Sequence, residues 1–82
     1  MQNYEYQVCS VQYGRATFVN GLWRGSVQMS EDTSAALASC PNVWDYLQGA
    51  GREGWELVSV ITHPQERPDA ALDMLYLKRP SW

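Results

Sequence analysis

The sequence predicts an α+β fold: an antiparallel β-sheet of about four strands with one short helix packed on one face. Three observations lead to this prediction. Residues 3–13 and 55–62 are rich in β-favouring types, an Asn-Gly pair stands between two apolar segments, and residues 41–51 repeat apolar side chains at helical spacing. The expected order along the chain is therefore β-β-β-α-β-β.

The length allows one domain, residues 1–82, because two separate cores would each be too small to offset chain entropy. A domain of this size has a thin margin of stability, and oligomerisation is a common supplement. Four Trp and five Tyr are many for so short a chain. Aromatic side chains serve both small cores and interfaces, so the composition leaves both uses open.

The charge balance disfavours nucleic acid as a partner. Six basic and nine acidic residues give a net charge of −3, and the basic residues are scattered, whereas phosphate binding needs a basic patch. No apolar run reaches the roughly 18–20 residues of a membrane helix. The first residues lack the features of a secretory signal, so we expect no membrane association and a cytoplasmic location. No cofactor is predicted.

The first strand changes its apolar face along its length. Tyr4, Tyr6 and Val8 share one face, and the next apolar residues, from Cys9 onward, share the other. This change predicts a bulge near Val8–Cys9, or a strand that crosses between two environments.

Asn20-Gly21 predicts a β-hairpin across residues 15–29, because this dipeptide tolerates the positive φ angles of a type I′ turn. Alternation places Thr17 and other polar residues on the outward face of the hairpin. The composition of residues 30–34 is typical of a loop, and residues 35–38 are compatible with a helical turn.

The segment 41–51 predicts the helix. Pro41 suits the first turn, with Ser39 or Cys40 at the cap position, and Gly51 is placed to end the helix in the left-handed conformation. The expected buried stripe is Val43, Tyr46, Leu47 and Ala50.

The segment 55–62 is the clearest strand. It is apolar on both faces apart from Glu56 and Ser59, which predicts a position near the centre of the sheet. Two prolines and three charges make residues 63–71 a loop. Residues 72–78 form the returning strand, and the sequence Lys-Arg-Pro at 78–80 indicates a sheet edge or exit.

Three segments resemble a small bacterial family catalogued as domain of unknown function 4177. They are Tyr-Glu-Tyr-Gln-Val at 4–8, Leu-Gln at 47–48 followed by Gly-Arg-Glu-Gly-Trp-Glu-Leu-Val-Ser-Val at 51–60, and Tyr-Leu-Lys-Arg-Pro at 76–80. The resemblance covers about half of the chain, supports the α+β fold and implies a bacterial or phage origin, but it implies no activity. The chain departs from the family at two places. Residues 14–40 form an enlarged hairpin and loop insertion, longer than the connection usual in the family, and Gln7 stands where the family has a basic residue.

The two glycines before Trp55 allow two interpretations. Such a pair can cradle a phosphate, but a phosphate loop needs the amide end of a helix, and these glycines follow the carbonyl end. A structural corner is therefore favoured, in which Trp55 covers the junction of helix and sheet. Glu56 is expected to pair with Arg52, Lys78 or Arg79.

Cys9 and Cys40 are expected to be small buried side chains, and a disulfide or a metal site with His63 are the alternatives. Cys40 would lie at the amide end of the helix, where the pKa of a thiol is lowered. A Cys40–His63 dyad would define a thiol-dependent enzyme, which is the weaker class of function here.

The favoured function is a small non-enzymatic binding or adaptor module that self-associates, with a dimer preferred, and that has a protein or a small ligand as a further partner. The alternative is a protein that binds or sequesters a nucleotide-like molecule through the 14–40 region. The candidate residues for ligand or partner binding are Tyr13, Arg15, Trp23, Arg24, Trp44 and Trp82.

Overall fold

The computed structural model describes residues 1–28, 33–65 and 71–81. It confirms the predicted α+β class, with five strands and two helices in the described residues. The elements are β1 (Asn3–Gln12), β2 (Arg15–Val19), β3 (Leu22–Trp23), α1 (Thr33–Ala38), α2 (Val43–Arg52), β4 (Glu56–His63) and β5 (Leu72–Ser81). The sheet has one strand more than the predicted count of about four, and the helical turn considered for residues 35–38 is part of a second helix, α1. The predicted loop positions 30–32 and 66–70 lie outside the described residues.

All neighbouring strands pair antiparallel, in the order β3-β2-β1-β5-β4. The longest pairing joins the two ends of the chain, because β1 and β5 are in register from Asn3 opposite Ser81 to Gln12 opposite Leu72. The last strand therefore lies inside the sheet, between β1 and β4. This corrects two predictions: β5 continues through the expected exit at 78–80, and β4 is an edge strand instead of a central one.

The strand registers define two faces of the sheet. The helix face carries Cys9, Val11, Leu75 and Leu77, which pack with the α2 side chains in the core. The open face carries Tyr4, Tyr6, Val8, Ser59, Ile61, Met74 and Tyr76. Tyr4, Tyr6 and Ile61 are exposed there.

The change of apolar face in β1 does not come from a bulge at Val8–Cys9, since β1 pairs with β5 without a shift in register. Tyr4, Tyr6 and Val8 simply lie on the open face, while Cys9 and Val11 enter the core. The irregularity lies instead in the pairing of β1 with β2, where β2 has one extra residue at Thr17. Thr17 is fully buried, not outward as predicted, and its hydroxyl contacts Ser10 O and Gln12 Oε1 at 3.2 and 3.1 Å.

The hairpin turn is confirmed. Asn20 and Gly21 have φ angles of 52° and 80°, the two positive values of a type I′ turn. The hairpin is shorter than expected, because β3 ends at Trp23.

Helix α2 has the predicted buried stripe but different ends. Tyr46 and Ala50 are buried, and Val43 and Leu47 pack against the core. The cap is Asn42 instead of Ser39 or Cys40: its Oδ1 accepts a hydrogen bond from the Asp45 amide at 2.9 Å.

The carboxyl end of α2 corrects the prediction for Gly51, which lies inside the helix. The left-handed residue is Gly54, with φ of 90°. The Gly54 amide donates to Gly51 O and the Trp55 amide to Ala50 O, both at 3.0 Å, which is the Schellman pattern. The helix therefore extends about one helical turn further than predicted, and the chain then leads directly into β4.

Candidate functional site

The Gly-x-x-Gly-Trp-Glu motif forms a structural corner with the two chain ends. The Arg79 guanidinium lies 4.4 Å from the centre of the Trp55 ring, donates from Nε to Glu5, and donates from Nη1 to Glu53 O at 3.0 Å. We call Glu5, Glu53, Trp55 and Arg79 the Arg79 corner. Each of the three segments that carry the family resemblance supplies a member, so the motif serves the fold.

Glu56 does not take the partner that was predicted for it. Arg79 pairs with Glu5 instead. Lys78 is directly opposite Glu56 in the β4–β5 register, but its Nζ lies over the Tyr4 ring, 4.6 Å from the ring centre. In the described part of the chain no ion pair forms at Glu56.

We expect Arg79→Lys to lower the free energy of unfolding by about 1–2 kcal/mol. A lysine cannot stack on Trp55 and also donate in two directions, whereas arginine does both. The ion pair with Glu5 is partly exposed and contributes less than about 1 kcal/mol of this. Urea unfolding measures the loss, and Arg52→Lys, at an exposed position in the last turn of α2, is the matched control with little expected change. Equal values for the two variants would contradict a role for the corner.

A small cleft lies between α2 and the β1–β3 side of the sheet. It has a volume of about 270 Å³, and its polar lining includes Gln7, Arg24, Asp45, Tyr46 and Glu53. The Tyr46 hydroxyl accepts a hydrogen bond from Gln7 Nε2. Ligand pockets usually have volumes of roughly 300–1,000 Å³, and the two carboxylates oppose a phosphate, so this cleft suits at most a small ligand.

The two thiols are buried and free, as predicted for Cys9 and Cys40. Burial raises the pKa of Cys9 to about 11, and the nearby Tyr46 hydroxyl offsets part of that effect. Burial also raises the pKa of Cys40. The expectation that the amide end of α2 lowers the pKa of Cys40 was therefore wrong. The helix begins three residues after Cys40, and the Cys40 thiol contacts Ala36 O in a buried position.

The suggested Cys40–His63 dyad does not form. Cys40 lies beside β2, where its carbonyl accepts from Arg15 Nη1 at 3.1 Å. His63 ends β4 at the opposite edge, and β1 and β5 lie between β2 and β4. At roughly 4.8 Å per strand, the two residues are more than 10 Å apart.

The structure does not bring the predicted binding residues into one site. Tyr13 is exposed in the β1–β2 turn, Trp23 packs edge-on against Phe18 with ring centres 5.3 Å apart, and Trp44 is 66% exposed on α2. Arg15 is engaged with Cys40, and Arg24 lines the small cleft. No hydrogen bond or ring contact joins any two of these five described residues, and Trp82 lies outside the described part of the chain.

The most unusual surface is β4, which the sequence suggested to be buried. Every one of its eight residues is exposed, including the apolar Leu57 (42%), Val58 (55%), Val60 (50%) and Ile61 (48%). Apart from its pairing with β5, the main chain of β4 takes part in one hydrogen bond within the described residues. It is a 3.4 Å contact from Gln65 Nε2 to His63 O. We call the outer side of β4 the open edge.

The two edges of the sheet differ in their protection. β3 is only two residues long, which leaves little main chain to pair. The open edge has one protective feature, a bulge at Val58, but no charge or proline between 57 and 62. Native sheets guard long edges with lysine, proline, bulges or coverage by another element, so an apolar edge whose one such feature is a bulge leaves main-chain groups available for another strand.

The sequence signal for this surface was the apolar segment itself. The segment is apolar on both faces at Leu57, Val58, Val60 and Ile61, a pattern shared by a central strand and by an edge that becomes central on association. The sequence therefore predicts the strand, but the prediction of a central position in the sheet was wrong.

The fold and this surface define a small α+β domain with one helix-covered sheet face and one open edge. Neither a family model, a curated protein nor a solved structure matches the chain. The resemblance to domain of unknown function 4177 therefore remains a prediction. No helix in the described residues is long and apolar enough to cross a membrane.

Proposed function

We propose that this chain is a small non-enzymatic cytoplasmic binding module that self-associates as a dimer. The observation that carries the proposal is the exposed apolar strand β4, at the end of a sheet whose other edge is short. A second copy would remove these side chains from water and add the stability that a domain of 82 residues lacks on its own.

The arrangement of charge supports association over nonspecific aggregation. The net charge of −3 is small enough to permit close approach, and Glu56 and His63 end the apolar segment at its two extremities. The open face at β4 carries both polar and apolar side chains: Ser59 lies opposite Tyr76 of β5, and Ile61 is on the same face. A surface of this composition, an apolar centre with a polar rim, is typical of a specific interface.

We expect Val60→Lys to weaken the dimer about 100-fold. Each copy loses a half-exposed valine from the interface, worth roughly 1 kcal/mol, and a charge is added to an edge that has none between 57 and 62. Sedimentation equilibrium from low to high micromolar concentration measures the change. Circular dichroism checks that the fold is kept.

Leu22→Lys is the matched control. Leu22 is an exposed apolar residue on the opposite edge strand, so the same kind of substitution is made where we expect no pairing. The dimer should survive in this variant. A wild-type chain that is monomeric at high micromolar concentration would contradict self-association altogether.

Binding of a small ligand is the second candidate, and the cleft beside Arg24 favours it. The guanidinium faces a pocket with the Tyr46 hydroxyl and Gln7, but also with Asp45 and Glu53. Native mass spectrometry of the purified protein separates the two functions, since one spectrum shows both the oligomeric mass and any retained ligand. A ligand lost on Arg24→Gln would support the cleft.

A further inference from the structure

We propose that two copies of this chain pair antiparallel along β4, about a two-fold axis at Val60, so that their two sheets continue as one sheet of ten strands. The inference rests on the proposed self-association and specifies its geometry. A strand added at a sheet edge satisfies the unpaired main-chain groups, and side chains that alternate along the strand give selectivity.

Symmetry restricts the register. A two-fold axis that pairs two edge strands antiparallel in one continuous sheet is perpendicular to that sheet, so each face continues as the same face and opposite residues must belong to one face. Pairing with β5 places Val60 on the helix face, and Ser59 and Ile61 on the open face. With Val60 opposite its own copy, Ser59 of one copy lies opposite Ile61 of the other.

The bulge at Val58 makes this register continue to both ends of the strand. It inserts one residue, so Leu57 is on the helix face together with Thr62, and Glu56 is on the open face together with His63. In the proposed pair Leu57 therefore meets Thr62, and Glu56 meets His63. Every residue of β4 except the bulged Val58 finds a partner, although Glu56 and His63 are separated by an odd number of positions.

The two ends of β4 favour a second copy of this chain as the partner that pairs with the open edge. Glu56 brings a carboxylate that accepts a hydrogen bond, and His63 brings an imidazole that donates one, with uncharged residues between them. An antiparallel copy places these complementary ends together twice. If the two-fold axis lay at Ile61 instead, Glu56 and Leu57 would have no partner on β4 of the other copy, and Ser59 would lie opposite His63.

Single cysteines test this geometry. Directly opposite Cα atoms in an antiparallel pair are about 4.5–5.5 Å apart, within the range of a disulfide. Val60→Cys should therefore form an intermolecular disulfide rapidly under mild oxidation. The natural thiols, Cys9 and Cys40, are 0% and 2% exposed and do not compete.

His63→Cys is the matched control on the same strand. Its two copies would be six steps of strand apart, roughly 20 Å, so it should link with itself at least tenfold more slowly than Val60→Cys. A mixture of Glu56→Cys and His63→Cys chains should instead form the mixed dimer in preference to either homodimer. Non-reducing electrophoresis and mass spectrometry measure all three rates.

The outcomes separate the geometry from the function. A dimer in sedimentation with no rapid Val60→Cys disulfide would overturn β4 pairing but leave self-association in place, with packing of the open faces as the remaining arrangement. A monomer at every concentration would overturn both. Rapid linking of His63→Cys with itself would overturn the antiparallel register while keeping β4 as the contact.

Discussion

Leu77→Ala should remove about 2–5 kcal/mol from the free energy of unfolding, the largest effect of any substitution considered for this chain. Leu77 is 1% exposed at the centre of the core, on β5, where it packs with Cys9, Tyr46 and Ala50. Truncation loses the transfer free energy of the side chain and leaves a cavity. A domain this small has little stability to spare, so the variant should be near its unfolding threshold.

Leu57→Ala provides a matched control for that measurement. Leu57 is directly opposite Leu77 in the β4–β5 register and on the same face, but it is 42% exposed. The same chemical change should therefore cost less than half as much. Urea unfolding at a protein concentration where the chain is monomeric compares the two variants, because association would couple to unfolding and would itself cover Leu57. Equal losses in the monomer would mean that β4 is covered within the domain and is not an open edge.

The second large effect expected is a loss of stability at alkaline pH. Burial raises the pKa of Cys9 from 9.0 to about 11, and burial together with the neighbouring Cys9 raises the pKa of Tyr46 from 10.0 to about 12. Above pH 9 the unfolded chain releases these protons while the folded chain still holds them. The free energy of unfolding should therefore be insensitive to these two groups below pH 9 and should fall above it.

The decline from these two groups should reach about 3–4 kcal/mol by pH 11, with the larger part from Cys9, at roughly 1.4 kcal/mol per unit of pKa difference. Urea unfolding at a series of pH values measures it. Cys9→Ala removes the first of the two groups, so its stability should fall less between pH 9 and pH 11, with the remaining decline coming from the buried Cys40 thiol and the Tyr46 phenol. An unchanged profile in Cys9→Ala would contradict the assignment.

Local features of this fold were predictable because their causes are local. The Asn20-Gly21 turn follows from the positive φ angles that these residues tolerate, and the buried stripe of α2 follows from spacing on a helix. The role of Trp55 at the helix–sheet corner was also predictable from its position after the helix end. The choice of Gly54 over Gly51 as the left-handed residue was not, because either glycine could end the helix.

The residues predicted to bind a ligand or partner show the opposite case. Arg15 and Trp23 were candidates because of their residue types, but the fold uses Arg15 to hold Cys40 and packs Trp23 against Phe18. Residue type alone does not tell whether a guanidinium or an indole already has a partner within the chain. The apolar side chains of β4 were visible in the sequence, and their exposure was not.

By itself, the sequence determined the α+β class, the hairpin turn, the α2 stripe and the strand character of residues 56–62. The tertiary structure alone decided the order of the strands. Because β1 pairs with β5 along its whole length, the end of the chain lies inside the sheet and β4 is displaced to the edge. Pairing between residues 60–78 positions apart depends on the balance of all contacts in the sheet, which no local pattern contains. Here it makes a strand with a core-like sequence the open edge.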